Sequence, residues 1–339
     1  MLTLALIGCA HIHTPGFVNA LKKREGQIAV KYVWDPTEAR AAKWAGELSA
    51  QVIKSPGRAW HDPEVSAVVI CSETNLHKKL VLAAARAKKH VFAEKPLGLG
   101  ARDSLAMAEA VEQAGVMFQT GYFNRGNVAY RFIKDQIEAG NLGKITRIRG
   151  SNCHSGALGG WFDRKPAEPA TDWRWMAEPK VAGCGAFGDL GTHLLDILMW
   201  MIGDVEAVTA DIKVITGRYG ECDETGEALL KFKNGVIGTL AGGWVDVANP
   251  VTLLVSGTEG HAALVDGQLY FKSGKVAGAD GKQPWTQLPE AKPAGFESFL
   301  DALLGQPASL VPVREAAQRV VVMEAAYKAA RQQKWVTIK

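Results

Sequence analysis

The tripeptide Glu94-Lys95-Pro96 makes Lys95 the first candidate for chemistry in this chain. The apolar run at 89–93 predicts a short core strand, and Pro96 disfavours a helical conformation for the residue before it. Lys95 is therefore expected at the carboxyl end of a strand, where open α/β sheets bind ligands. An ammonium at that place can meet a substrate oxygen or a cofactor. The alternative is a solvated lysine that only ends a strand, as most lysines are solvated.

A glycine-containing turn follows the apolar run at 2–7 and opens a second candidate site. Such a turn lets backbone N–H groups and a helix amino terminus face a pyrophosphate. Relative to G-x-G-x-x-G, Ala10 replaces the second glycine and His13 the third. The residues expected to contact a dinucleotide here are Gly8, Cys9, Ala10, His11 and Ile12.

Asp35 ends the next strand-like run, at 28–34, where an acidic residue binds the ribose hydroxyls of NAD. A carboxylate there also repels a 2′-phosphate, so the sequence favours NAD, while Arg40 nearby leaves NADP open. His11 and His13 invite a metal interpretation, but no third ligand of suitable spacing accompanies them, and no metal is predicted. Thr14-Pro15 fits a helix N-cap followed by proline at the first helical position.

A third cluster pairs a carboxylate with an imidazole. Asp189 and His193 are four residues apart, so on a helix they share one face. A carboxylate beside an imidazole orients the ring and favours its protonated form, which suits a general base. The structural alternative is an N-capping aspartate and a hydrogen-bonded core histidine.

The elements that must position these residues follow from the apolar pattern. Up to residue 122, apolar runs of strand length alternate with Ala-, Leu-, Lys- and Glu-rich helical stretches, which predicts a doubly wound parallel sheet. Beyond it, alternating strands separated by short turns such as Asn234-Gly235 predict a large, mostly antiparallel sheet with helices on one face. We therefore expect an α/β protein with domains at 1–122 and 123–339.

Composition limits the class of protein. The 339 residues are 47% hydrophobic and 22% charged, with a net charge of +4 and no long block of one sign. This predicts an ordinary globular chain without a nucleic-acid or membrane surface. Five widely spaced cysteines without C-x-x-C spacing, and an amino terminus without signal-peptide features, predict reduced thiols in the cytoplasm.

These features together resemble the Gfo/Idh/MocA oxidoreductases, the family of glucose-fructose oxidoreductase and inositol dehydrogenase. The resemblance extends over nearly the whole chain and rests on the Gly8 turn, Asp35, Asn75, His77, Glu94-Lys95-Pro96, Gly121-Tyr122-Phe123-Asn124-Arg125, Asn141-Leu142-Gly143, Asp189 with His193, and Ser256-Gly257-Thr258-Glu259-Gly260. It implies an amino-terminal Rossmann domain, a carboxyl-terminal domain with a large sheet, and a homodimer or homotetramer. The implied reaction is hydride transfer between nicotinamide and a sugar or cyclitol hydroxyl carbon.

The resemblance also implies roles for single residues. Lys95 would hydrogen-bond the reacting oxygen and help position the nicotinamide, and Glu94 would orient the strand end. His193 would take or return the hydroxyl proton, with Asp189 binding substrate or orienting the ring. The further residues expected to contact the cofactor are Ser72, Asn75 and His77.

The segment 152–181 is rich in tryptophan and charged residues, which suits the apolar faces and hydroxyls of a carbohydrate. Candidate substrate contacts there and nearby are Arg125, His154, Trp161, Trp173 and Arg174, with Arg164 and Lys165 among their charged neighbours. Alternatively, these tryptophans only pack a long connection. Two further functions remain open: redox-neutral epimerisation or glycoside cleavage with retained NAD, and a non-catalytic ligand-binding regulator.

Overall fold

A computed structural model describes residues 1–163 and 172–338 of the chain. The chain folds into two compact units, of which the first comprises 1–122, 162–183 and 293–320, and the second comprises 123–161, 184–292 and 321–339. The predicted division after residue 122 coincides with the first passage of the chain between the units. The chain then returns to the first unit twice, at 162–183 and at 293–320. A division into two continuous domains omits these two segments.

The first 122 residues alternate strands and helices. Their elements are β1 (Leu2–Cys9), α1 (Thr14–Lys22), β2 (Ile28–Trp34), α2 (Glu38–Glu47), β3 (Gln51–Val52), α3 (Gly57–His61), β4 (Val65–Cys71), α4 (Thr74–Arg86), β5 (His90–Ala93), α5 (Ala101–Ala114) and β6 (Phe118–Thr120). The six strands pair in parallel in the order β3-β2-β1-β4-β5-β6. The order reverses beside β1, and such a switch point leaves a crevice at the carboxyl ends of the strands for a ligand.

The remaining elements begin with a short 3₁₀ helix at Phe123–Gly126, and a second one lies at Arg174–Ala177. The others are α6 (Val128–Glu138), β7 (Ile145–Cys153), α7 (Pro179–Ala182), α8 (Ala186–Ile202), β8 (Val205–Lys213), β9 (Thr225–Phe232), β10 (Ile237–Gly243), β11 (Val251–Gly257), β12 (Gly260–Val265), β13 (Gln268–Ser273), β14 (Asp280–Pro284), α9 (Phe296–Leu303), α10 (Val313–Gln332) and β15 (Val336–Thr337). Nine strands form one sheet in the order β14-β13-β12-β11-β7-β10-β9-β8-β15, with only β7 and β10 parallel among its paired strands in the described chain. Both sheets confirm the predicted fold class.

Each unit has its own buried apolar core. In the second unit, α8 packs on β7 and β10, and its leucines join the sheet residues in one buried cluster. In the first unit, apolar strands are buried from both faces, as expected for a parallel sheet covered by helices. The sheets thereby fix the ends of β1, β4 and β5 and the first turn of α8, which carry the candidate site residues.

Helix starts differ from expectation at two places. The N-cap of α1 is His13 and not Thr14. Pro15 lies in the first turn of the helix, as expected. The N-cap of α8 is Gly185, and Asp189 lies in the first turn of the helix, four residues after the cap. The alternative of an N-capping role for Asp189 is therefore wrong.

Candidate active site

The loop after β1 approaches the end of β4 too closely for any side chain at its glycine. Gly8 has φ +85°, and a Cβ there would lie 2.4 Å from the Cβ of Ser72. Ser72 is buried and donates through its hydroxyl to the carbonyl of Glu73. Gly8 thus provides both the positive φ and the close backbone approach that a dinucleotide turn needs.

Asp35 lies buried at the end of β2 and ties the neighbouring backbone together. Its carboxylate accepts hydrogen bonds from the backbone N–H of Cys9 at 2.7 Å and of Thr37 at 2.7 Å. Arg40 donates to Asp35 at 2.9 Å and to Glu73 at 2.6 Å. Burial raises the pKa of Asp35, and the charge of Arg40 and the two backbone donors oppose that rise. Arg40 is thus held by two carboxylates.

Glu94 forms the centre of a charged cluster at the carboxyl end of β5. Its side chain is fully buried, with His13 Nδ1 at 2.9 Å from Oε1 and His11 Nε2 at 3.9 Å from Oε2. Burial acts to raise the pKa of Glu94, but the two histidines and Lys95 outweigh it and hold the pKa well below its usual range. Glu94 is therefore an ionised, buried carboxylate at neutral pH.

His11, His13 and Glu94 bring three potential metal-ligand atoms within 4.8 Å of one another. Sequence spacing missed this third candidate ligand because Glu94 is 81 residues from His13. However, His11 Nδ1 accepts a hydrogen bond from the backbone N–H of His13 at 3.2 Å. In a neutral imidazole this places the proton on Nε2, which faces Glu94. The arrangement is that of a hydrogen-bonded charge cluster, and the absence of a metal stays a prediction.

Lys95 follows Glu94 and is only 3% exposed, so the alternative of a solvated lysine is wrong. Its backbone N–H donates to Glu94 Oε2 at 2.9 Å. Gly121, at the end of β6, allows this packing, since a Cβ there would lie 2.5 Å from the same carboxylate oxygen. A buried ammonium requires a compensating negative charge or polar partners. Glu94 provides such a charge in the neighbouring residue.

His77 and Asn75, both predicted to contact cofactor, have different surroundings. His77 is fully buried, and its two ring nitrogens lie 3.1 Å from the carbonyl of Pro96 and 3.2 Å from that of Ser72. Burial lowers its pKa against the effect of these carbonyls. His77 therefore joins the ends of two strands, while Asn75 is exposed in the first turn of α4.

The segment after residue 171 contributes a tryptophan to the dinucleotide loop. Trp175 Nε1 donates to the carbonyl of Ala10 at 3.2 Å, and its ring lies 6.1 Å from that of His11. Trp173 precedes a 3₁₀ helix, and Arg174 is exposed and paired with Asp172. These contacts place Trp175 against the loop after β1. Arg164 and Lys165 lie outside the described residues.

In the second unit, α8 carries the carboxylate and imidazole. His193 is buried, and its ring centroid lies 5.1 Å from that of Phe123. Asp189 is half-buried and accepts a hydrogen bond from the indole of Trp244 at 3.3 Å. The fully buried Trp244 was missed in the sequence, because nothing in its local spacing links it to Asp189, 55 residues away.

The other predicted substrate contacts divide into two groups. His154 and Trp161 lie together, with ring centroids 4.7 Å apart and Trp161 45% exposed, and burial lowers the pKa of His154. Arg125 instead donates to the buried Asp196 through two nitrogens, at 2.8 and 2.5 Å. Such a bidentate pair holds the guanidinium in a defined orientation, and a contact between Arg125 and substrate stays a prediction.

The chain matches two family profiles. Residues 2–122 match the family described as "Oxidoreductase family, NAD-binding Rossmann fold", and residues 130–263 match "GFO/IDH/MocA C-terminal domain". It is also 33% identical over 244 residues to the myo-inositol 2-dehydrogenase of Thermotoga maritima, covering 70% of this chain and 67% of that protein. The chain belongs to the Gfo/Idh/MocA oxidoreductase family.

Two further relatives resemble this Gfo/Idh/MocA protein. The NAD-dependent scyllo-inositol 2-dehydrogenase of Bacillus subtilis is 30% identical over 235 residues, which cover 67% of this chain and 64% of that protein. A levoglucosan dehydrogenase in complex with NADH has the same fold, with a TM-score of 0.83 at 21% identity, covering 100% of this chain and 99% of that one. The predicted family, the oxidoreductase activity and the NAD cofactor are confirmed.

The residues of this Gfo/Idh/MocA protein fit NAD. Gly8 lets the loop after β1 lie directly against Ser72, next to the amino terminus of α1. Asp35 presents a carboxylate at the end of β2, and Ala10 is buried where many dinucleotide loops have glycine.

No helix in the described part of the chain is both long and apolar enough to cross a membrane.

Proposed function

We propose that this protein transfers hydride between NAD and a hydroxyl carbon of a sugar or cyclitol. The observation that carries the proposal is the buried Lys95 beside the ionised Glu94, at the ligand-binding edge of a dinucleotide-binding sheet. The two inositol dehydrogenases that resemble the chain support a cyclic polyol as substrate.

The proposed roles follow from the chemistry of each side chain. NAD, when bound, supplies the hydride acceptor. Lys95 donates a hydrogen bond to the substrate oxygen and stabilises negative charge that develops there. His193 accepts the hydroxyl proton, and Asp189 orients the imidazole from the same face of α8. His154 and Trp161 provide a polar edge and an exposed aromatic face for a carbohydrate.

Lys95→Met tests the proposal because it removes the ammonium and keeps most of the side-chain volume. The matched control is Lys89→Met, since Lys89 is also buried in the first unit but donates to the carbonyls of Asp62 and Val65. NADH formation on a panel of cyclitols and sugars is followed by absorbance, and NAD binding by calorimetry. We expect Lys95→Met and His193→Ala to abolish turnover while NAD still binds, and Lys89→Met to keep turnover. Wild-type rates in the Lys95 and His193 variants would refute the proposed mechanism.

We also propose that the protein is a cytoplasmic homodimer or homotetramer. The nine-stranded sheet exposes apolar side chains such as Leu229, Ile237 and Val251, which would be covered in an assembly. None of the five cysteines, all within the described residues, forms a disulfide, in keeping with a reducing compartment. Light scattering after gel filtration measures the state, and Ile237→Asp should shift it towards monomer.

A further inference from the structure

The first turn of α8 is held by two residues far away in the sequence, Asp223 and Tyr327. The backbone N–H of Gly185 lies 3.1 Å from Asp223 Oδ2 and 3.2 Å from the hydroxyl of Tyr327. Phe187 N–H donates to Asp223 Oδ1 at 2.8 Å. The Tyr327 hydroxyl donates to Asp223 Oδ2 at 2.9 Å. We call these two residues, Asp223 and Tyr327, the α8 clasp.

The α8 clasp satisfies the whole helix terminus. A helix leaves its first N–H groups without intrahelical partners. Ala186 N–H donates to the backbone carbonyl of Asp223 at 2.9 Å, and Gly188 N–H donates to the Tyr327 hydroxyl at 3.0 Å. The four consecutive N–H groups at 185–188 therefore all bond to the clasp, with an acidic side chain at the positive end of the helix dipole.

The glycines before Asp189 are explained by this contact. A Cβ on Gly185 would lie 2.4 Å from Asp223 Oδ2. A Cβ on Gly188 would lie 2.3 Å from the Cβ of Cys184 and 3.0 Å from the Tyr327 hydroxyl. Gly185 has φ −105°, so space and not backbone conformation requires glycine there. The glycines leave room for the clasp to reach the helix backbone.

The same segment also fixes the indole that contacts Asp189. Glu224, directly after Asp223, accepts the backbone N–H of Trp244 at 2.8 Å through its carbonyl. Its buried carboxylate accepts from the backbone and hydroxyl of Thr216, at 2.5 and 2.6 Å. Trp244 in turn donates to Asp189. Residues 223–224 therefore hold Asp189 from two directions, through the helix terminus and through the indole.

We propose that Asp223 and Tyr327 are positioning residues that set the place of Asp189 and His193 by fixing the first turn of α8. Asp189 belongs to that turn, and His193 follows one turn later on the same face. This inference rests on the proposed function of those two residues. A small displacement of a catalytic group lowers the rate much more than it lowers cofactor affinity, because only the rate requires aligned reacting atoms.

Tyr327→Phe tests the proposal by removing one hydroxyl. The matched control is Tyr130→Phe, which removes another core hydroxyl of the second unit, bonded to Thr252. We expect Tyr327→Phe to lower kcat about 10- to 100-fold with NAD affinity unchanged. The second readout is the NMR signal of the Trp244 indole N–H, which reports its hydrogen bond to Asp189. This signal should move in Tyr327→Phe and in Asp223→Asn, and stay in place in Tyr130→Phe.

The two readouts separate the possible failures. An indole signal that does not move in Tyr327→Phe overturns the inference, whatever the activity. A signal that moves while kcat keeps its wild-type value also overturns it, since the clasp would then serve stability alone. If wild-type protein turns over no polyol, the proposed function fails, and the indole signal still decides whether the clasp positions Asp189.

Discussion

Replacing Glu94 by glutamine removes a charge but keeps the side-chain size, and its cost follows from the burial of the group. The carboxylate is fully buried, with His13 Nδ1 at 2.9 Å and Lys95 in the next residue. Removing one partner of a buried charge pair costs about 3–5 kcal/mol, since the other charge remains buried. His13 is partly exposed, which lowers the value, and we expect Glu94→Gln to lose about 3 kcal/mol at neutral pH.

The pH dependence of this loss has a definite sign. The folded state holds the pKa of Glu94 below its unfolded value, so its contribution is fully present above the unfolded pKa of about 4.3. The contribution disappears as the pH falls through the folded pKa. The difference in free energy of unfolding between wild type and Glu94→Gln should therefore shrink as the pH falls into the acid range.

Urea unfolding over a pH series measures the difference, with Glu112→Gln as the matched control. Glu112 also belongs to the first unit and pairs with Arg314, but both side chains are exposed. Such a pair contributes about 0–1 kcal/mol. If Glu94→Gln lowers the free energy of unfolding no more than Glu112→Gln does at neutral pH, Glu94 is not an ionised, paired carboxylate. Glu94 would then not be the charge that compensates the buried Lys95.

Two further predictions concern NAD binding. Gly8→Ala should abolish NAD binding in calorimetry and lower the free energy of unfolding more than Gly26→Ala does. Both glycines have positive φ, but of the two only Gly8 lacks room for a Cβ. Equal losses of unfolding free energy in the two variants would contradict the close approach of Gly8 to Ser72. Asp35→Asn should raise the NADP-to-NAD ratio of kcat/KM about tenfold, since a hydrogen bond to a charged group is worth roughly 1.5–3 kcal/mol. The control is Asp62→Asn, which removes a carboxylate of the same unit that is bonded to Tyr32 and should leave the ratio unchanged. If the ratio is unchanged in both variants, Asp35 does not select the cofactor.

The sequence predicted the longer strands of the first unit because they are mainly apolar. The expected strands at 28–34 and 89–93 correspond to β2 and β5. Short elements such as β3 and α3 were missed, since two to five residues carry no measurable periodicity. Local pattern therefore located the ends of the strands where the cofactor residues lie.

Contacts over long sequence separations were beyond such reasoning. Nothing in the local sequence predicted the pairing of Arg125 with Asp196, 71 residues later. Nor does the local pattern predict the hydrogen bond from Trp175 to Ala10, 165 residues away. A polar or aromatic side chain has the same local signature in either role, because only its tertiary partner distinguishes binding from packing.

The two proposed catalytic groups differ in whether their supporting residues are visible in the sequence. Lys95 depends on Glu94, its neighbour in the chain, so the pair is visible as a motif. Asp189 depends on Tyr327 and Asp223, which are 138 and 34 residues away by position in the sequence. Both supports place a carboxylate next to backbone N–H groups, at a strand end in one case and a helix terminus in the other. A backbone N–H that loses its carboxylate acceptor is left unpaired, so losing either support should shift the local backbone, displace the neighbouring catalytic group and lower the rate.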